Sequence, residues 1–136
     1  MMITKIEHIG IAVKDQKKSN EIFEKLLGHA SFKSELIESQ GVKTYFYQVG
    51  ESKIELLEAT SDNSPIKKHL QKRGEGMHHL ALHVDDIHLE LERLTNLGFE
   101  TIGDVSKGAD NKLICFLHPK TTGGVLIELC QEVNLL

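Results

Sequence analysis

Hydrophobic and polar positions alternate from Ile3 to Val13, in a run rich in β-branched residues, and this predicts an opening strand. Asp15 then offers an N-cap. Ile22, Phe23, Leu26 and Leu27 recur at helical spacing, and Gly28 follows, so a helix ended by that glycine is expected. Strand-like runs come next at about 31–38, 42–49 and 53–59. Ser64-Pro65, an N-cap with proline at the first helical position, opens a short helix at about 64–72. The pattern then starts again. It predicts a strand over 77–84 and a helix over 86–97 carrying Leu89, Leu91, Leu94 and Leu97. Strands follow near 99–105, 112–118 and 124–130. Gly41 and Gly123-Gly124 fall in the turns between runs.

The second half is a copy of the first. Residues 6–15, IEHIGIAVKD, align without a gap on residues 77–86, MHHLALHVDD, which places His8 on His79 at an offset of 71. Leu27-Gly28 matches Leu97-Gly98 at an offset of 70, and Lys53-Ile54-Glu55-Leu56 matches Leu126-Ile127-Glu128-Leu129 at an offset of 73. Matches in the same order at nearly constant offset make coincidence a poor explanation. The fold class that follows is α+β: two tandem βαβββ modules, about 1–72 and 77–136, in one domain. Arg73-Gly74-Glu75-Gly76 joins them.

Composition narrows the partners. A chain of 136 residues, 40% hydrophobic and 26% charged, suits one compact globular domain. A net charge of −4 gives no electrostatic case for nucleic acid or an anionic membrane as partner. No apolar run approaches the roughly 18 residues that would span a bilayer. Met1-Met2-Ile3-Thr4-Lys5 leads straight into strand-like sequence, so no signal peptide is expected and the protein reads as cytoplasmic. Cys115 and Cys130 lack CxxC spacing and read as reduced core thiols.

The candidate chemistry lies in the repeat. Strand side chains alternate between faces. In the first copy Ile9, Ile11 and Val13 share one face, and His8, Gly10 and Ala12 share the other. In the second, Leu80, Leu82 and Val84 oppose His79, Ala81 and His83. The aliphatic faces are expected to pack on helices, and the small residues beside each histidine to border a cavity. Glu55 is flanked by Ile54 and Leu56, and Glu128 by Ile127 and Leu129. A carboxylate on a strand of this kind is costly to bury without compensation, and a divalent cation would supply it. A lone histidine or glutamate on a strand is ordinarily bland; the argument rests on both types recurring at equivalent points of both copies. His8, Glu55, His79 and Glu128 are therefore the expected ligands of one divalent ion. Their nitrogen and oxygen donors suit Co, Ni, Mn, Fe(II) or Zn, and an octahedral ion would keep two open positions. Of the other histidines, His78 is in phase with the core face, His29, His69 and His88 read as surface residues, and His83 faces the cavity with only Ala12 as its counterpart.

The motifs resemble the vicinal oxygen chelate superfamily and, within it, the methylmalonyl-CoA epimerases. The matching segments include Glu7-His8-Ile9-Gly10, Ser39-Gln40-Gly41-Val42, Lys53-Ile54-Glu55-Leu56-Leu57-Glu58, Gly76-Met77-His78-His79-Leu80-Ala81 and Phe116-Leu117-His118-Pro119-Lys120 with Gly123-Gly124-Val125-Leu126-Ile127-Glu128-Leu129. They span essentially the whole chain. The resemblance implies a curved, incomplete eight-stranded barrel around a metal held by His8, Glu55, His79 and Glu128. It implies an acyl-CoA substrate and a homodimer. The implied cofactor is one divalent ion, cobalt by preference, with Zn, Ni, Mn or Mg also possible. The implied reaction interconverts (R)- and (S)-methylmalonyl-CoA through an enediolate, with Glu128 as one proton-transfer group. Some family members carry a second glutamate three residues after the glycine of the Gln-Gly-Val segment, but here that position is Thr44. A metal-bound water or Glu55 are the substitutes it leaves. Lys112, His118 and Lys120 are the candidate substrate contacts. The competing reading is a glyoxalase-I-type lactoylglutathione lyase, which shares the metal frame. A metal-free binding module fits poorly, since all four ligands are present.

Overall fold

The computed structural model describes residues 3–133; residues 1–2 and 134–136 lie outside the described residues. The strands are β1 (Ile3–Val13), β2 (Lys33–Ile37), β3 (Val42–Val49), β4 (Ser52–Ala59), β5 (Gly76–Val84), β6 (Thr101–Lys107), β7 (Lys112–Leu117) and β8 (Ile127–Glu132). The helices are α1 (Gln16–Leu27), α2 (Pro65–Arg73) and α3 (Ile87–Asn96). Each half therefore runs βαβββ, as the sequence predicts. The eight strands form one sheet ordered β2-β3-β4-β1-β5-β8-β7-β6. The order within the first half, β2-β3-β4-β1, is repeated in the second as β6-β7-β8-β5. Among the described residues no helix is long and apolar enough to cross a membrane.

The helix ends follow the local chemistry. The Asp15 carboxylate accepts from the backbone N–H groups of Lys17 and Lys18, and Gly28, at φ +83°, closes α1 by donating to the Glu24 carbonyl. Ser64 caps α2 ahead of Pro65, and Asp86 caps α3.

Contacts divide the chain into two units: residues 9–78, and residues 1–8 with 79–136. The division runs through the histidine strands themselves, after His8 in β1 and before His79 in β5.

In the unit of residues 9–78 the sheet is covered on both faces. Val13, Tyr45, Tyr47 and Leu56 pack with Phe23 and Leu27 of α1. On the other face Ala12, Val42 and Leu57 pack with Ile66 and Leu70 of α2. Two expectations change here. Ala12 is fully buried in that second cluster and does not border open space. The α1 stripe is narrower than its sequence suggests. Phe23 and Leu27, one turn apart, face the sheet with Ser19, whereas Ile22 and Leu26 remain 60% and 70% exposed.

In the unit of residues 1–8 and 79–136, α3 packs Ile87 and Leu94 on Val84, Cys115, Leu117 and Leu129. Leu89 and Leu97 of the predicted stripe point to solvent. On the opposite face Ala81, Ile114 and Cys130 form a small cluster with Phe116. The strands of this unit include a parallel pair, β5 with β8, which sets Ala81 beside Glu128 and His83 beside Cys130. The antiparallel pair β7 with β8 sets Phe116 beside Glu128 and Ile114 beside Cys130.

Candidate metal centre

Three of the four expected ligands converge in the unit of residues 1–8 and 79–136. The His8 and His79 Nε2 atoms stand 2.9 Å apart. The Glu128 Oε1 lies 3.0 Å from the first and 3.1 Å from the second. All three side chains are buried. The imidazoles meet edge to face at 84°, and the His79 ring packs in the same manner on Phe116 at 86°. That packing fixes the direction in which both rings present their nitrogens.

A fourth residue, which the sequence reading missed, sets the tautomer. Glu7 is buried, and its Oε1 accepts from the His8 Nδ1 at 3.0 Å. With the proton on Nδ1, the His8 Nε2 presents a lone pair to the centre. A buried acid immediately before a candidate ligand was the available signal.

Burial pushes the Glu128 carboxyl upward, but the His79 and His8 imidazoles beside it more than offset this and hold it well below the usual carboxylate range. The group is a carboxylate. Its Oε1 is buried and, although close to both imidazole nitrogens, receives no hydrogen bond of good geometry among the described residues. The two Nε2 atoms lie at hydrogen-bonding distance from each other, and with the Glu128 oxygen they form a compact buried set of donors. Nitrogen and oxygen donors of this kind fit a divalent ion.

Glu55 lies in the unit of residues 9–78. It is buried on β4, and its cross-strand neighbour on β3 is Phe46, fully buried. The pairing copies that of Glu128 with Phe116 on the β7–β8 hairpin. The repeat thus extends from the carboxylate to the aromatic side chain beside it. Thr44 is buried on the same face of β3, between Leu57 of β4 and Glu35 of β2.

The remaining candidates are scattered. Lys112 is buried and paired with Glu132, its Nζ 3.3 Å from that carboxylate and 3.9 Å from Asp110. The β7–β8 register puts Lys112 on the face of Glu128, at the far end of the pair. His118 is exposed and caps the turn Pro119–Thr121, its Nδ1 accepting from the Lys120 N–H. Lys120 is exposed and paired with Glu100 at 3.3 Å. His83 neighbours Cys130 in the β5–β8 register, and its Nδ1 lies 2.6 Å from Thr4 Oγ1. His69 is half-buried, not a free surface residue, and meets His78 edge to face at 4.9 Å between centroids. Cys115 and Cys130 are both free, buried thiols, as expected, and the Cys130 sulfur lies on the Glu128 face, within 4.8 Å of donor atoms of His8 and Glu128.

A profile of the glyoxalase/bleomycin resistance protein/dioxygenase superfamily matches residues 7–116. The mitochondrial methylmalonyl-CoA epimerase of Mus musculus is 36% identical over 129 residues, covering 93% of this chain and 72% of the mouse protein. The chain belongs to the methylmalonyl-CoA epimerase family. The ethylmalonyl-CoA/methylmalonyl-CoA epimerase of Cereibacter sphaeroides shares 34% identity across 96% of this chain and 99% of its own. The crystal structure of the methylmalonyl-CoA epimerase from Mycobacterium tuberculosis superposes with a TM-score of 0.92 at 33% identity, over 98% of this chain and 91% of that one. A methylmalonyl-CoA epimerase in complex with methylmalonyl-CoA and ammonium superposes with a TM-score of 0.89, at 33% identity and 96% coverage of both chains.

Proposed function

We propose that the protein is a metal-dependent epimerase that interconverts (R)- and (S)-methylmalonyl-CoA. The observation that carries this reading is the triangle of His8 Nε2, His79 Nε2 and Glu128 Oε1 in a chain matched by epimerases along nearly its whole length. His8, His79, Glu128 and Glu55 would hold one divalent ion. Cobalt is the preferred ion, and nickel, manganese, magnesium or zinc are the alternatives. Burial of Glu55 on β4 and its copying of the Glu128–Phe116 pair support that role. Bound there, a divalent ion supplies positive charge where the thioester oxygen gains negative charge as the α-proton leaves.

The protein's own groups do the rest. Glu7 holds the Nδ1 proton of His8 and so keeps Nε2 available. Glu128, through its second oxygen, Oε2, is the group proposed to exchange the α-proton on one side of the substrate carbon. Epimerisation needs a second group for the other side. The Thr44 hydroxyl is not basic near neutral pH. Its cross-strand neighbour Glu35 shares that face of the sheet and is half-buried, and it is the carboxylate assigned to the second transfer. Lys112, His118 and Lys120 are the contacts proposed for the substrate's anionic groups. The working assembly is a homodimer in the cytoplasm.

The test is exchange of the α-hydrogen of methylmalonyl-CoA in deuterated buffer with metal-loaded protein. Exchange from both epimers, without turnover of a glutathione hemithioacetal, is expected. Turnover of the hemithioacetal with no exchange would replace the epimerase by a lactoylglutathione lyase.

A further inference from the structure

The unit of residues 9–78 holds a cleft none of whose lining residues is a candidate ligand or substrate contact. Its volume is about 470 Å³, the size of a small-molecule site. The last residues of β1 and β4 meet one side of α2 there. Val13, Ala59 and Leu70 form the apolar part of the lining, and Lys14, Lys67, Glu58 and Gln71 the polar part. Lys67, Leu70 and Gln71 stand three and four residues apart on α2, so they share one face of that helix.

The charges around this space are uneven. α2 carries Lys67, Lys68, Lys72 and Arg73 and no acidic residue, in a chain whose net charge is −4. Lys67 stands in the first turn, at the helix end where the dipole disfavours a cation, and it is half-buried there. The local field is felt by His69, whose pKa is lowered first by burial and then by the charge of Arg73. Lys14 joins Lys67 from the end of β1, where its backbone N–H donates to the Glu75 carboxylate at 2.8 Å. Among the described residues neither ammonium forms an ion pair with Glu58, whose Oε1 instead accepts from the Tyr45 hydroxyl at 3.1 Å. Burial, and then Glu58, push the Tyr45 phenol up to about 12, so it stays a donor and holds that carboxylate in place. A local rule is broken at Lys67, and an anion in the cleft would supply the compensation. The repeat offers an internal control. β4 leads into α2, whereas no helix follows β8 among the described residues. The cleft is an addition to the first module and not part of the plan that both copies share.

We infer that this cleft binds a small organic monocarboxylate with an apolar body. The carboxylate lies between Lys14 and Lys67 and accepts from the Gln71 amide, while the apolar body covers Val13, Ala59 and Leu70. Glu58 sets the limit on charge, because a second anionic group on the ligand would meet a fixed carboxylate. The inference is independent of the metal centre and of the reaction proposed for it.

The test is an NMR titration of the isotope-labelled full-length protein with isovalerate, beside isoamyl alcohol, inorganic phosphate and succinate. Isovalerate should shift the backbone amides of Lys14, Ala59, Lys67 and Gln71, with a dissociation constant of about 1 mM or below. Each of the other three should bind about tenfold more weakly or not at all. The double variant Lys14→Met, Lys67→Met should lose about tenfold or more in isovalerate affinity, whereas Lys68→Met, beside the lining but outside it, should stay within about twofold. Phosphate binding as tightly as isovalerate would reduce the cleft to a patch of basic surface and overturn the inference. Equal binding of the alcohol would remove charge from recognition, and equal binding of succinate would remove the limit set by Glu58; either result overturns it too. So would shifts confined to the surroundings of His8 and His79, which would place the carboxylate at the metal centre, or no shift at all. The wild-type titrations decide the question even if the double variant does not fold.

Discussion

The two hairpins that carry the buried glutamates are built alike and surrounded differently. On β7–β8, Glu128 sits beside Phe116, faces two imidazole nitrogens at about 3 Å, and has a thiol two residues on. On β3–β4, Glu55 sits beside Phe46 and has an aliphatic cluster two residues on, sealed by α2. The same register thus serves two ends. One copy carries the histidine–glutamate triangle; the other carries an aliphatic cluster beside its glutamate. The difference arises from what covers the shared face. α2 brings Ile66 and Leu70 onto one copy, whereas the matching face of the other carries the cluster of Ala81, Ile114, Cys130 and Phe116. A duplicated module keeps its backbone plan and diverges in the few side chains that meet solvent or substrate.

That asymmetry can be broken. Glu128→Ala removes a ligand and a proton-transfer group at once, and exchange of the α-hydrogen should fall by about 10³-fold or more. Glu55→Ala should weaken metal binding by about 10- to 100-fold. Equal losses in the two variants, measured by isotope exchange and metal titration, would erase the proposed division of roles.

Glu35→Gln tests the second transfer group. Exchange from one epimer should drop by about 10²-fold or more, while exchange from the other stays within a few-fold. Adding Thr44→Glu to that variant should restore the lost exchange. An even loss from both epimers would show that Glu35 affects binding and not proton transfer. Glu7→Gln should weaken metal binding by about 10- to 100-fold without abolishing it, since it frees the His8 ring rather than removing a donor. Unchanged affinity in a metal titration would mean that packing alone fixes the ring.

The smallest effect concerns His69 on α2, which covers the quieter copy. Burial, and then the charge of Arg73, lower its pKa from 6.5. Protonation is therefore harder in the folded chain than in the unfolded one. The stability due to its neutral form is complete above pH 6.5 and declines as pH falls through that value. Denaturant midpoints should show this slope in the wild type and lose it in His69→Gln; an equal slope in both would place the dependence elsewhere.

Much of this was legible in the sequence. The recurrence of His8 at His79 and of Glu55 at Glu128 gave the repeated βαβββ plan and the candidate donors. Asp15, Gly28 and Ser64-Pro65 gave the helix ends, because capping is a local matter. What the sequence did not disclose depends on pairing between distant strands. That Phe46 and Phe116 flank the two glutamates, that Glu35 neighbours Thr44, and that Cys130 sits by His8 all follow from register. The α1 stripe misled for a related reason: helical spacing shows which residues share a face, and only packing shows how wide a band is covered, so Ile22 and Leu26 are exposed. Glu7 was overlooked because its neighbour His8 drew the ligand role, and a strand pattern assigns adjacent residues to opposite faces.

The most direct measurement is equilibrium dialysis of the metal-free chain against cobalt(II), beside His79→Ala. The account predicts one ion per wild-type chain and none bound specifically by the variant. Specific binding of one ion by both proteins, or by neither, would contradict a centre built on His8, His79 and Glu128.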